Sequence, residues 1–209
     1  MSEEEAVAVP VPGGPALEGR LGLVSPSRGG FVVCHPHPLY GGDMDNPVVV
    51  RAAEVCREAG YATLRFNFRG VGASAGVHDK GEGEQQDIRA AATALASRLS
   101  AGGPVGVIGY SFGAWTAARA MRPGDAALGL IAPPLGMFDF DGLGTDGGRL
   151  LLVAGTRDSY CPVDALHRLA EATGAEERII EGADHFFFGK LYPLGQAIAA
   201  WLAGAAPAR

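Results

Sequence analysis

The 209-residue chain carries only three cysteines, Cys34, Cys56 and Cys161, widely scattered and without a C-x-x-C pair. An odd, dispersed set builds no disulfide framework. Buried reduced thiols are the plain expectation; a reactive thiol at Cys34 or Cys161, both beside motifs described below, is the sharper one. No apolar run approaches the ~20 residues needed to cross a bilayer. A basic excess is missing too: Lys and Arg total 17 against 23 Asp and Glu, a formal charge of −6. Nucleic-acid binding calls for a basic patch or stripe, so no nucleic-acid partner is expected, and the charge reads as a solvated acidic surface. The N-terminus, MSEEEAVAVPVPGG, is acidic where a secretory signal would be basic and then apolar. The expectation is a cytoplasmic protein with no membrane partner. Internal repeats and long linkers are also absent. With 47% hydrophobic residues, the chain suits one domain, 1–209, with a sizeable core. Residues 1–14 are expected to be either flexible or an N-terminal edge strand.

What is present is an alternation. Two β-like stretches, Ala6–Pro10 and Leu17–Val24, flank GGP and suit a hairpin. FVVC (31–34), ATLRFNF (62–68), VGVIG (105–109), ALGLIA (127–132), LLLVAG (150–155) and ERIIEG (177–182) read as further strands. Between them lie helical patterns over 47–59, 82–99, 112–121, 163–173 and 190–202. The first opens on Pro47 and stops at Gly60, as helix ends favour. Short apolar strands alternating with helices predict an α/β fold with a mostly parallel sheet covered on both faces. Ligands of such sheets bind outside the carboxyl ends of the strands. Chemistry should be sought just after each strand.

Two stretches fit Gly-x-Ser-x-Gly: GASAG at 72–76 and GYSFG at 109–113. The pattern is a nucleophile turn only between a strand and a helix. Ser111 has that context, with VGVIG before it and FGAWTAARAM after it. The turn strains the serine's backbone, so the residues two positions away must lack bulk. The following helix aims free N–H groups and its positive end at the serine. Ser74 instead runs into the polar loop GVHDKGEGEQQD, which marks it as a loop serine.

A serine hydroxyl needs a base and a carboxylate that orients the base. In hydrolases built on such a turn, the carboxylate and then the histidine follow the serine. Two histidines follow Ser111. His167 lies mid-helix in ALHRLAEA, whereas His185 lies in EGADHFFFG at a strand's carboxyl end. Asp158, in GTRDSYCP after LLLVAG, occupies the matching place for the carboxylate. Its rivals fit worse. Asp184 adjoins the histidine and should point elsewhere, Asp164 suits the first turn of a helix, and Asp139 and Asp141 sit on a loop.

The chain resembles the α/β-hydrolases, in particular the small, lidless bacterial serine hydrolases of carboxylesterase type. The resemblance rests on HPHPLYGGDMDNPVV (35–49), LRFNFRGVGASAG (64–76), GYSFGAW (109–115), GTRDSYCP (155–162) and GADHFF (182–187), in family order along nearly the whole chain. It implies an α/β-hydrolase fold without a lid domain, a Ser111–His185–Asp158 triad, and a purely structural turn at Ser74. The oxyanion hole of such enzymes takes one N–H from the residue after the nucleophile, here Phe112, and a second from the loop after an early strand. That loop is HPHPLYGG. Pro36 and Pro38 have no N–H, which leaves His37, Leu39 and Tyr40. Likeness to the superfamily's His-Gly-x loop places the donor at His37.

HPHP followed by Asp43 and Asp45 also invites a metal reading, since His35 and His37 could both coordinate zinc. The proline rings restrict the segment and no third histidine lies nearby in sequence. A buttressing role for these side chains is commoner, and no metal or cofactor is expected. Pro133–Gly148 is too short for a lid domain, so the site should be open. It would be bordered by Leu39, Tyr40, Leu135, Met137, Phe138 and Phe140, as an acyl pocket or by ordinary loop packing, while Phe186–Phe188 should be core. The expected activity is hydrolysis of small-molecule, short-chain acyl esters through an acyl-enzyme on Ser111. Thioesterase, lactonase, peptidase and a non-catalytic binding module are the alternatives, and a homodimer is left open.

Overall fold

The computed structural model describes residues 4–99, 102–121, 127–143 and 148–204. Its strands are β1 (Glu5–Pro10), β2 (Ala16–Gly22), β3 (Gly30–Cys34), β4 (Ala62–Phe66), β5 (Val105–Tyr110), β6 (Leu128–Ile131), β7 (Leu150–Gly155) and β8 (Glu176–Ile180). Its helices are α1 (Pro47–Glu58), α2 (Glu82–Ala96), α3 (Phe112–Ala120), α4 (Val163–Thr173) and α5 (Leu191–Ala203). One sheet runs in the order β1-β2-β4-β3-β5-β6-β7-β8. β2 is antiparallel to both β1 and β4, and every other pairing is parallel. β1 is thus an N-terminal edge strand; residues 1–3 lie outside the described residues.

Side chains alternate across the sheet, as the two-residue period of a strand requires. Val32, Cys34, Val107, Leu150 and Leu152 pack on one face with Ile88 and Leu95 of α2, Phe112 and Ala117 of α3, and Leu166 of α4. Phe31, Val33, Ile108, Leu151 and Val153 pack on the other with Val49 and Cys56 of α1 and Ile198 and Trp201 of α5. The continuous apolar strands read from the sequence are therefore apolar because both faces are covered.

Local signals set the helix ends. The Asn46 side chain accepts the Val48 N–H at 3.0 Å, an N-cap. The Glu84 carboxylate accepts the Gly81 N–H at 2.8 Å, which closes a capping box at the start of α2. α2 ends at Ala96, short of the expected Leu99, because the chain tightens there: Arg98 and Leu99 donate to the carbonyls three residues back. β4 ends at Phe66 although the apolar run continues to Phe68. The Phe68 N–H is taken by His35 Nε2 at 3.0 Å, which diverts it from the ladder.

Parallel strands β3, β5, β6 and β7 bring their carboxyl ends to one edge. The HPHP loop, the Ser111 turn, the Pro133–Gly148 connection and the Asp158 loop all leave from there. Residues 144–147 of that connection lie outside the described residues. Among the described residues no helix is long and apolar enough to cross a membrane.

Candidate active site

Ser111 links β5 to α3 with φ 55° and ψ −116°. Positive φ is rare for a non-glycine residue, and the fold enforces it here. The Ser111 N–H donates to the Ile131 carbonyl at 2.9 Å, and its own carbonyl accepts the Ala114 and Trp115 N–H groups. The flanking glycines are required by contact. A Cβ on Gly113 would stand 2.6 Å from the His35 carbonyl oxygen, and one on Gly109 would collide with the Gly113 backbone.

Ser111 Oγ lies 2.9 Å from Nε2 of His185. On the other side of that ring, Nδ1 lies 2.8 Å from Asp158 Oδ2. Asp158 Oδ1 accepts the N–H groups of Tyr160 at 2.9 Å and Cys161 at 3.0 Å. An acceptor-only carboxylate facing Nδ1 puts the ring proton there and leaves the Nε2 lone pair toward the serine hydroxyl. The His185 loop is held from below by the Tyr110 hydroxyl, which donates to the His185 carbonyl at 3.0 Å. Asp158 and His185 are both buried.

Phe112 and His37, two residues that line the groove over Ser111, are the candidates for its N–H donors. The Phe112 N–H is the first of α3, where the opening N–H groups have no intrahelical acceptor. In the HPHP loop, the Leu39 N–H is consumed by His37 Nδ1 at 3.2 Å and the Tyr40 N–H by the His37 carbonyl at 3.1 Å. Of the three loop donors left open by the sequence, His37 alone keeps an N–H for which no partner is found among the described residues. His35 buttresses the loop: Nδ1 donates to the Pro36 carbonyl at 2.6 Å and Nε2 accepts from Phe68. Both of its ring nitrogens face backbone, and burial, its largest influence, lowers its pKa to about 4. No cluster of three or more metal-ligating side chains is found among the described residues.

A groove of about 330 Å³ opens over Ser111 and is bordered by Tyr40, Tyr110, Phe112, Met137, Phe138, Tyr160 and Phe186. A larger apolar groove, about 610 Å³, lies between β1 and α2, but it has no nucleophile–base pair. Three expectations need correction. Leu39, expected to border the site, is 69% exposed and lies outside the groove. It shares a 3₁₀ turn, Pro38–Tyr40, with Tyr40, and successive residues of such a turn point about 120° apart. Phe186, expected in the core, lines the groove and is 55% exposed, while Phe187 is buried and Phe188 exposed. Asp184 causes this by accepting the N–H groups of Phe186 and Phe188 at 3.1 and 3.3 Å. The resulting coil puts Phe187 at φ 54°. Phe140 and Leu135 likewise pack on the core rather than line the groove. Nothing in the sequence marked Tyr110 or Tyr160 as site residues beyond their places beside Ser111 and Asp158.

The rival residues stand elsewhere. Ser74 is buried, donating to the Asn67 carbonyl at 2.7 Å and accepting the Glu18 N–H at 2.9 Å. His167 is exposed on α4 beside Glu177, Asp164 is in the first turn of α4, and Asp139 and Asp141 form an exposed loop pair. Cys34, Cys56 and Cys161 are buried. Burial pushes all three thiols well above their ordinary range, which removes the thiolate that reactivity needs.

Comparison with known proteins gives the family. The pattern of the X-Pro dipeptidyl-peptidase (S15) family matches residues 31–185. An uncharacterized protein of Rickettsia prowazekii is 35% identical over 195 residues, spanning 87% of this chain and 82% of its own. A lidless α/β serine hydrolase from Xanthomonas campestris superposes with a TM-score of 0.88 at 32% identity, covering 100% of this chain and 98% of its own. An α/β serine hydrolase homologue from Coxiella burnetii gives 0.86 at 31% identity, with 96% and 97% covered. A strained Gly-x-Ser-x-Gly turn on a mostly parallel sheet, an open groove without a lid, and these matches lead to one assignment: the chain is a lidless serine hydrolase of the α/β-hydrolase superfamily and belongs to the X-Pro dipeptidyl-peptidase (S15) family.

Proposed function

We propose that the protein hydrolyses carboxylic esters of small, uncharged acyl groups through an acyl-enzyme on Ser111. The observation that carries this reading is the continuous contact from Ser111 Oγ through the His185 ring to Asp158, at 2.9 and 2.8 Å. Ser111 Oγ bonds to the acyl carbon as its proton passes to His185 Nε2. Asp158 stabilises the imidazolium and stays ionised. The tetrahedral oxyanion is met by the N–H groups of Phe112 and His37. Collapse breaks the bond to the leaving alkoxide, which takes the Nε2 proton. Water then gives a proton to Nε2 as it adds to the acyl carbon; collapse breaks the bond to Ser111 Oγ, which takes that proton back, and the acid is released.

The bond cleaved is where two observations pull apart. Family membership favours a peptide bond over an ester, so a peptidase is the second reading. The groove favours the ester: among its described lining residues there is no carboxylate to pair with the free ammonium of a dipeptidyl substrate. Aromatic rings and Met137 dominate its walls instead, which suits a neutral, apolar acyl group. Asn46, Tyr40 and Tyr160 supply polar edges.

The test is a panel of non-activated alkyl esters, thioesters, lactones and X-Pro amides, compared by kcat/KM, with fluorophosphonate labelling alongside. Wild type should label at Ser111 and cleave esters in preference to amides, and Ser111→Ala should do neither while keeping its fold. Faster turnover of the X-Pro amides would establish the peptidase reading. A folded wild-type protein that neither labels nor turns over any of the panel would leave a binding module.

A further inference from the structure

Three aromatic rings from three separate segments meet behind the proposed oxyanion site. His37 stands on the loop after β3, Phe112 opens α3, and His78 belongs to the turn before α2. Their centroids are 4.7 Å apart for His37–Phe112, 5.0 Å for His37–His78 and 5.5 Å for His78–Phe112. His78 therefore touches the side chains of both residues whose N–H groups would receive the oxyanion. Neither the sequence motifs nor the mechanism above gives it a role.

His78 is itself held. Its Nδ1 lies 2.8 Å from Oε1 of Glu84, off the axis of a directed hydrogen bond. The contact sets that edge of the ring against the Glu84 carboxylate. Glu84 is fully buried and cannot yield, because it also accepts the N–H groups of Asp79 at 2.9 Å and Gly81 at 2.8 Å.

Displacement of these rings would reach the backbone. The His37 ring is tied to its own loop by the Leu39 N–H, and the Phe112 side chain is buried. On the opposite side the two segments already touch, since Gly113 packs against the Cys34 and His35 carbonyls. The rings thus close the far side of a gap whose near side is fixed. We propose that His78, anchored by Glu84, is a positioning residue of the oxyanion site: its ring sets the separation between the His37 loop and the Phe112 turn. The inference rests on the roles given to Ser111, His37 and Phe112 under the proposed function.

The test compares His78→Ala, His78→Leu and His78→Phe on the best ester, together with the affinity of a trifluoromethyl ketone whose serine adduct carries an oxyanion. Donors must sit within a few tenths of an ångström of their place to stabilise that charge. His78→Ala should lower kcat about tenfold to a hundredfold, with KM within about twofold, as small misplacements in a site do. Ketone affinity should fall by the same factor as kcat. His78→Phe, which keeps the ring, should restore kcat to within about threefold of wild type, by the same positioning argument. If His78→Ala does not fold, His78→Leu is read in its place. Unchanged kcat in folded His78→Ala or His78→Leu, a change confined to KM, or a loss that His78→Phe does not restore would overturn the proposal. A wild type that neither labels nor turns over ester would instead overturn the Ser111 reading, so the two failures are distinguishable.

Discussion

His35 gives the sharpest physical test of how the site is held. Its ring is fully buried, donating through Nδ1 to the Pro36 carbonyl and accepting through Nε2 from the Phe68 N–H. That pattern needs the neutral ring, because a second proton would sit on Nε2 against another N–H. Burial is the largest influence and lowers the pKa; the Pro36 carbonyl opposes it, and the neighbouring His37 adds to it. The result is a shift from 6.5 to about 4. Between those values the unfolded chain binds a proton that the folded chain refuses, so stability falls as pH drops through this window. The shift of about 2.5 units, at 1.36 kcal/mol per unit, amounts to about 3 kcal/mol once pH is below both values. By pH 4.5 the same linkage gives a loss of about 2.5 kcal/mol relative to pH 7.5.

His35→Gln removes the titration. Carboxylates titrate over the same range, so the informative quantity is a double difference: wild type minus variant, at pH 7.5 minus pH 4.5. Urea unfolding supplies it from the midpoint and slope at each pH. At pH 7.5 the variant should be less stable by about 1–3 kcal/mol, for hydrogen bonds left unmade at a buried site. At pH 4.5 most of that deficit should vanish, because wild type has lost its His35 contribution there. Parallel pH dependence of the two proteins, within about 0.5 kcal/mol, the usual scatter of such differences, would refute the assignment of a neutral, buttressing His35.

Ser74→Ala should cost about 1–3 kcal/mol, through the two buried hydrogen bonds it removes, while the folded fraction keeps wild-type turnover; a loss of turnover per folded molecule would return Ser74 to the candidates. Tyr110→Phe removes the hydroxyl that bonds the His185 carbonyl and keeps the ring. Its kcat should fall roughly tenfold as the base loosens, and an unchanged kcat would show that the loop is held without it. Across aliphatic esters below their micelle concentrations, kcat/KM should rise by ~0.8 kcal/mol per methylene only while the groove lasts, to about six carbons. A continued rise, or a jump at an oil–water interface, would mean that something roofs the groove.

The parts of the molecule that were legible in the sequence share one physical cause. A covered parallel sheet makes its central strands uninterrupted apolar runs, and its directionality puts the exits of the parallel strands at the same edge. Ser111, Asp158 and His185, which the structure brings into contact, could be picked out over Ser74, Asp164 and His167 from the sequence, because each of the three follows a strand at its carboxyl end and comes in the order the turn demands. Side-chain direction within a loop has no such periodic cause. It is set by which backbone groups the loop's own side chains capture. Asp184 shows this most plainly: adjoining the base, it was expected only to point away. By taking the N–H groups of Phe186 and Phe188 it winds the segment so that Phe187 goes inward at positive φ and its two neighbours go out. Three consecutive phenylalanines read as core by composition, yet one carboxylate sends a single ring to the core and turns Phe186 into a wall of the groove. His37 acts alike through the Leu39 N–H, and Glu84 through those of Asp79 and Gly81. The contact between Ser111, His185 and Asp158 is thus placed by the sheet and the groove's shape by a few buried or half-buried acceptors. Substitutions at Asp184 or Glu84 should therefore move specificity and oxyanion geometry without touching the Ser111–His185 contact.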